Sequence, residues 1–176
     1  MYYTSTHYKQ FANNKVLKKL PKGLFDNVYR ENGYFDNAFE NCYALEEIPE
    51  DLLWLPLSEG LEDPVPGGSY KYYYTFRYCY ALKNVPKKLF KFNCGAPSNE
   101  YEYIFQYCWA LSGEIYLYGN YTSYSYYSYS FGSCNVNNFF VYVSSASVKD
   151  SGVANTSTGN SGVRVAVLPA MAYKIL

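Results

Sequence analysis

The sequence is poor in the residues that most often carry chemistry. It has one histidine, His7, two methionines and two tryptophans in 176 residues, and its 15 basic and 15 acidic side chains leave no net charge. A zero balance gives no overall field to hold a polyanion, so neither nucleic acid nor an anionic membrane is expected as a partner. The longest late apolar run, Val165 to Tyr173, is far shorter than the roughly 20 residues a membrane-spanning helix needs, and membrane insertion is not expected. The opening M-Y-Y-T-S-T-H lacks the basic and apolar regions of a signal peptide. A Gly-rich phosphate loop, a G-x-S-x-G elbow and an H-E-x-x-H pair are all missing, and His7 alone cannot complete a catalytic set with any of the five cysteines. The paired carboxylates Glu46-Glu47 and Glu50-Asp51 lie in a repeated charged position, so an enzyme is not expected. No two cysteines stand closer than the 14 residues between Cys94 and Cys108, which removes C-x-x-C spacings; neither a metal site nor any cofactor is expected.

What the chain has instead is internal repetition. Phe39 to Leu53 reads F-E-N-C-Y-A-L-E-E-I-P-E-D-L-L, and Phe76 to Phe90 reads F-R-Y-C-Y-A-L-K-N-V-P-K-K-L-F. A weaker copy runs from Phe11 to Phe25, with Asn14 in place of the cysteine. Two worn copies start at Phe105 and Phe131, keeping Cys108, Ala110 and Leu111 in the first and Cys134 and Val136 in the second. The starting phenylalanines are 28, 37, 29 and 26 residues apart. Periods of this length indicate stacked units, each too small to bury its apolar face alone. The long interval calls for a loop insertion, placed at 54–71, where Leu-Pro, Asp-Pro, Val-Pro and Gly-Gly signals cluster.

Within each unit, apolar residues recur four before, at and three after the starting phenylalanine: Phe35/Phe39/Cys42, Tyr72/Phe76/Cys79, Tyr101/Phe105/Cys108 and Tyr127/Phe131/Cys134. That stripe predicts a short helix with one buried face in every rung. The stretches ending at Ile48-Pro49, Val85-Pro86, Ile115 to Tyr118 and Phe139 to Val143 predict short strands. Cys42, Cys79, Cys108 and Cys134 share one repeat position and are read as structural, reduced, stacked fillers. Neighbouring helices would stand about 10 Å apart, too far for a disulfide between successive units.

Charge alternates from rung to rung: Lys18, Lys19 and Lys22, then Glu46, Glu47, Glu50 and Asp51, then Lys83, Lys87 and Lys88. Stacked in order these sets face opposite signs and can pair, or they form a merely solvated charged face. The 24 tyrosines concentrate in Tyr70 to Tyr80, Tyr101 to Tyr107 and Tyr116 to Tyr129. Tyr43, Tyr80 and Trp109 share the position four after the phenylalanine, and Tyr78 and Tyr107 share the position two after it. These five are the candidate binding residues: either they seal the core, or they form two aromatic lines of the composition that binding surfaces favour. Residues 144–176, rich in Ser, Gly, Asn and Thr before a strand-like Val163 to Leu168, are read as a β-rich C-terminal cap on a repeat domain at 1–143. Asn120-Tyr-Thr and Asn155-Thr-Ser match a glycosylation pattern too common to carry weight.

The units F-E-N-C-Y-A-L-E-E-I-P and F-R-Y-C-Y-A-L-K-N-V-P resemble the BspA-type leucine-rich repeat. The resemblance implies an α/β solenoid: a right-handed leucine-rich-repeat stack of about five rungs, each a short helix plus a short strand. It also implies a surface protein that adheres to host proteins or other cells. The expected partners are a protein or cell-surface ligand, with assembly subunits as the alternative. The expected location is extracellular or at the cell surface if the chain is part of a secreted protein. A complete chain would point instead to a structural component of a virion or other extracellular assembly.

Overall fold

Residues 5–25, 32–53, 69–90, 98–117, 127–134, 136, 139–143, 146 and 163–168 are described by a computed structural model. Cys94, both glycosylation patterns, most of the 144–176 cap and all of the proposed 54–71 insertion except its last three residues lie outside them. Among the described residues seven strands run in chain order: β1 (Ser5–Thr6), β2 (Asn32–Tyr34), β3 (Ser69–Lys71), β4 (Ser98–Glu100), β5 (Gly113–Leu117), β6 (Phe139–Val143) and β7 (Val163–Val167). They form two parallel sheets, β1-β2-β3-β4 and β5-β6-β7. A line of single parallel bridges, Lys19 to Glu47 to Asn84 to Ser112, leads up to β5. The pairing offsets are those of the sequence repeat: Ser5 faces Gly33, Gly33 faces Tyr70 and Tyr70 faces Asn99.

The expected α/β leucine-rich-repeat solenoid is overturned. The repeat segments read as helices contain none, the strands belong to two small separate sheets, and the described residues do not close into a coil. The reason lies in the backbone. Every fourth residue of these segments has a positive φ: Lys9 and Asn13, Asn37 and Asn41, Tyr74 and Tyr78, Tyr103 and Tyr107, Tyr129 and Ser133. A left-handed residue breaks a helix at once. Each segment is instead a run of tight turns whose N–H groups alternate in direction. Ala38, Glu40 and Cys42 donate within their own unit to Phe35, Asn37 and Phe39, while Asn37, Phe39 and Asn41 donate to Tyr73, Thr75 and Arg77 of the next. The stripe at four and seven residues thus comes from a four-residue turn repeat, and half the donors of each run hold the next unit in parallel register.

This register stacks like side chains. Phe11, Phe39, Phe76, Phe105 and Phe131 form one column with centroids 5.2, 5.4, 5.4 and 5.6 Å apart and nearly parallel rings. A second column runs His7, Phe35, Tyr72, Tyr101 and Tyr127, flanked by Phe25 and Phe90 from the unit ends. Such pairs contribute about 0.5–1.5 kcal/mol each beyond the burial of their area. The four repeat cysteines are buried and free, but the expected reason for their staying reduced is wrong, since successive units are nearer 5 Å apart than 10. Each thiol is occupied: Cys42, Cys79, Cys108 and Cys134 donate to the carbonyls of Phe11, Phe39, Phe76 and Phe105. Burial pushes the Cys42 thiol up to about 11 and Cys134 to about 12, with Cys79 and Cys108 also well above the usual range, so the reactive thiolate is disfavoured at neutral pH.

The alternating charges meet in part, through Lys19 with Glu47 and Lys83 with Glu46. Lys19 Nζ lies 2.9 Å from Glu47, Lys83 Nζ lies 3.9 Å from Glu46, and Lys87 pairs with Glu114 in the following unit. Replacing Glu46 and Glu47 together by lysine puts like charges beside Lys83 and Lys19. We expect a lower melting temperature that added salt partly restores, because screening weakens exposed charges. Melting identical to the parent at low salt would show that these pairs do not hold the units together.

Candidate functional site

The turn runs that replace the helices decide where the late tyrosines go. A left-handed position suits asparagine, which tolerates it better than other non-glycine residues, and the second unit uses asparagine at both places, Asn37 and Asn41. The third and fourth units put tyrosine there: Tyr74, Tyr78, Tyr103 and Tyr107, with φ between 56° and 62°. Such backbone strain costs of order 1–3 kcal/mol per residue and gathers at functional sites.

Of the five candidate residues, Trp109 is 51% exposed and Tyr43, Tyr78, Tyr80 and Tyr107 are half-buried. None is core. Tyr43, Tyr80 and Trp109 stack in one column, with centroids 5.0 and 4.3 Å apart, and Tyr78 stacks on Tyr107 at 4.7 Å. The two lines meet edge to face where Tyr78 touches Tyr80, at 6.0 Å and 76°. The indole N–H of Trp109 donates to the Ser133 carbonyl, which fixes the ring.

A third column escaped the sequence reading: Tyr74, Tyr103 and Tyr129, at 4.8 and 5.2 Å. All three are left-handed, four residues before the residues of the Tyr78 line and its continuation at Ser133. Asn37 and Asn41, four apart in the second unit, were the available signal. Arg77 joins the columns, its guanidinium 4.4 Å from the Tyr74 ring centre and 4.5 Å from that of Tyr78. Its Nη2 donates to the Tyr78 hydroxyl at 2.9 Å, and its Nη1 lies 3.6 Å from Glu40. At the margin Tyr73 and Tyr74 share a hydrogen bond of 3.0 Å between their hydroxyls.

The result is a contiguous aromatic face with one arginine embedded in it. Because the rings cover one another's faces, mainly their edges and hydroxyls are left for a ligand. Burial pushes the Tyr80 and Tyr73 phenols above the usual range, helped by Tyr43 and Tyr74 respectively, and the Tyr73 hydroxyl is already committed to Tyr74. Among the described residues no group of three or more His, Cys, Asp or Glu side chains could hold a metal ion, and no helix is long and apolar enough to cross a membrane. Comparison of the chain with family models, curated proteins and solved structures finds no match.

Proposed function

We propose that the chain is a non-enzymatic protein-binding module of the adhesion kind, engaging a protein on a cell surface or in an extracellular assembly through its aromatic face. The observation that carries this reading is the set of strained, half-exposed tyrosines at Tyr74, Tyr78, Tyr103 and Tyr107, where asparagine would serve the fold better. Stacking returns about 0.5–1.5 kcal/mol per pair beyond the area it buries, against about 1–3 kcal/mol for each left-handed residue, so strain offsets much of what stacking gives the fold. Tyr, Trp and Arg are the residues that dominate protein–protein binding energy, and rigid tyrosines supply amphipathic contact at little entropic cost. A base or a sugar ring needs an open aromatic face; columns stacked on themselves offer few. The resemblance of the repeat motif to BspA-type units points the same way.

The test is binding of the purified chain to immobilised extracellular-matrix proteins and to intact cells. Where binding is found, Trp109→Ala is expected to weaken it at least about tenfold, or 1.4 kcal/mol, with the melting temperature unchanged. Binding as strong as the parent's would remove the aromatic face from the interface.

A further inference from the structure

Among the described residues, none of those lining a shallow pocket of about 310 Å³ belongs to the aromatic columns. They are Tyr8, Tyr34, Asp36 and Lys71, contributed by three successive units. Tyr34 closes β2 and Lys71 closes β3, and the two are register partners. Tyr8 and Asp36 follow the ends of β1 and β2 by two residues. Backbone bonds fix them: His7 N–H donates to the Tyr34 carbonyl and Lys9 N–H to the Asp36 carbonyl.

Asp36 is the informative residue. Its carboxylate is half-buried and accepts one bond, from the Tyr73 N–H at 3.1 Å, and among the described residues it has no ion pair. Burial pushes its pKa upward, against the opposing pull of that bond and of Lys71. A carboxylate held this way costs stability and leaves acceptor capacity unused. Lys71 is half-neutralised already: its Nζ lies 3.4 Å from Glu100 and 5.8 Å from the centre of the Tyr34 ring. Tyr8 is 58% exposed, and unlike the column tyrosines it has no ring stacked on it among the described residues, only Lys9 Nζ 5.0 Å from its centroid.

The geometry points to a binding site for one pyranose unit of a neutral saccharide. An anion gains little here, because Glu100 already takes up part of the Lys71 charge, and Lys71 stands beside Asp36 against a cation. Adjacent hydroxyls suit it: one donates to the Asp36 carboxylate, another accepts from Lys71 or a phenol, and such bonds to charged groups are the stronger kind. The C–H face of the sugar then lies on the open side of Tyr8. The volume is at the small end for ligand sites, which run from about 300 Å³. This site is independent of the protein-binding face.

The experiment is titration of the isotope-labelled chain with the methyl glycosides of glucose, galactose, mannose and N-acetylglucosamine, up to about 10 mM, which detects the weak affinities expected of single sugars. At least one should shift the amides of Tyr8, Tyr34, Asp36 and Lys71. Asp36→Asn, which keeps an acceptor for the Tyr73 N–H, and Tyr8→Ala, at an exposed ring, should each weaken that binding at least about tenfold, while Tyr78→Asn/Tyr107→Asn leaves it intact. The proposal is overturned if no glycoside shifts these amides, if both pocket variants bind as the parent does, or if choline or glycine shifts them and no sugar does.

Discussion

Replacing Phe76 by alanine is expected to destabilise the fold by about 3–5 kcal/mol, the range for removing a fully buried phenylalanine. Phe76 is the middle of the five-ring column and is wholly buried. It stacks on Phe39 at 2° and on Phe105 at 5°, both with centroids 5.4 Å away, so truncation removes two ring contacts and opens a void between two rings that are themselves held in register by their backbones. Its own N–H and carbonyl are committed to Ile104 and to the Cys108 thiol, which limits how far the neighbouring units can collapse into the space. Phe11, at the end of the same column, stacks on Phe39 and is only partly buried; Phe11→Ala should cost clearly less. Urea denaturation of the two variants measures the difference. Equal losses would show that the column is not a continuous packing element.

The second large effect is on binding. Tyr78→Asn together with Tyr107→Asn removes one whole aromatic line and should abolish measurable binding to a ligand that the parent protein holds, since two central aromatics at about 2 kcal/mol or more each are enough. Stability should change little. Both positions are left-handed, asparagine stands in the equivalent place at Asn41, and the backbone relief offsets the lost stack of 4.7 Å. Loss of the Arg77 bond to the Tyr78 hydroxyl leaves the guanidinium over Tyr74 and near Glu40. A variant that melts far below the parent would mean that these tyrosines are there for the fold. One that melts normally and still binds would mean that the face is not the interface.

The repeat, its uneven spacing and the columns through Phe39, Cys42, Tyr43 and Tyr78 were legible in the sequence, because a parallel register copies the sequence interval directly: Gly33 faces Tyr70 across the same 37 residues that separate Phe39 from Phe76. The cysteine column and the Lys19–Glu47 and Lys83–Glu46 pairs follow from the same fact. The helices were misread because Phe35, Phe39 and Cys42 span too few residues to separate a period of 3.6 from a period of four. Tyr74 and Tyr78 hid the left-handed positions that Asn37 and Asn41 advertise. The first sheet was invisible for another reason: S-T, N-G-Y, S-Y-K and S-N-E are two or three residues long and carry no apolar alternation. The third aromatic column and the pocket depend on those missed elements, so neither could be placed.

The fold rests on turn runs with a left-handed residue at every fourth position, and nuclear magnetic resonance of the labelled chain tests that directly. Tyr74, Tyr78, Tyr103 and Tyr107 should each show the strong intraresidue contact between amide and α protons that a positive φ produces, with Phe39, Phe76 and Phe105 amides protected from exchange by their bonds to the next unit. Weak intraresidue contacts at those tyrosines, together with continuous helical chemical shifts from Tyr101 to Cys108, would contradict the account.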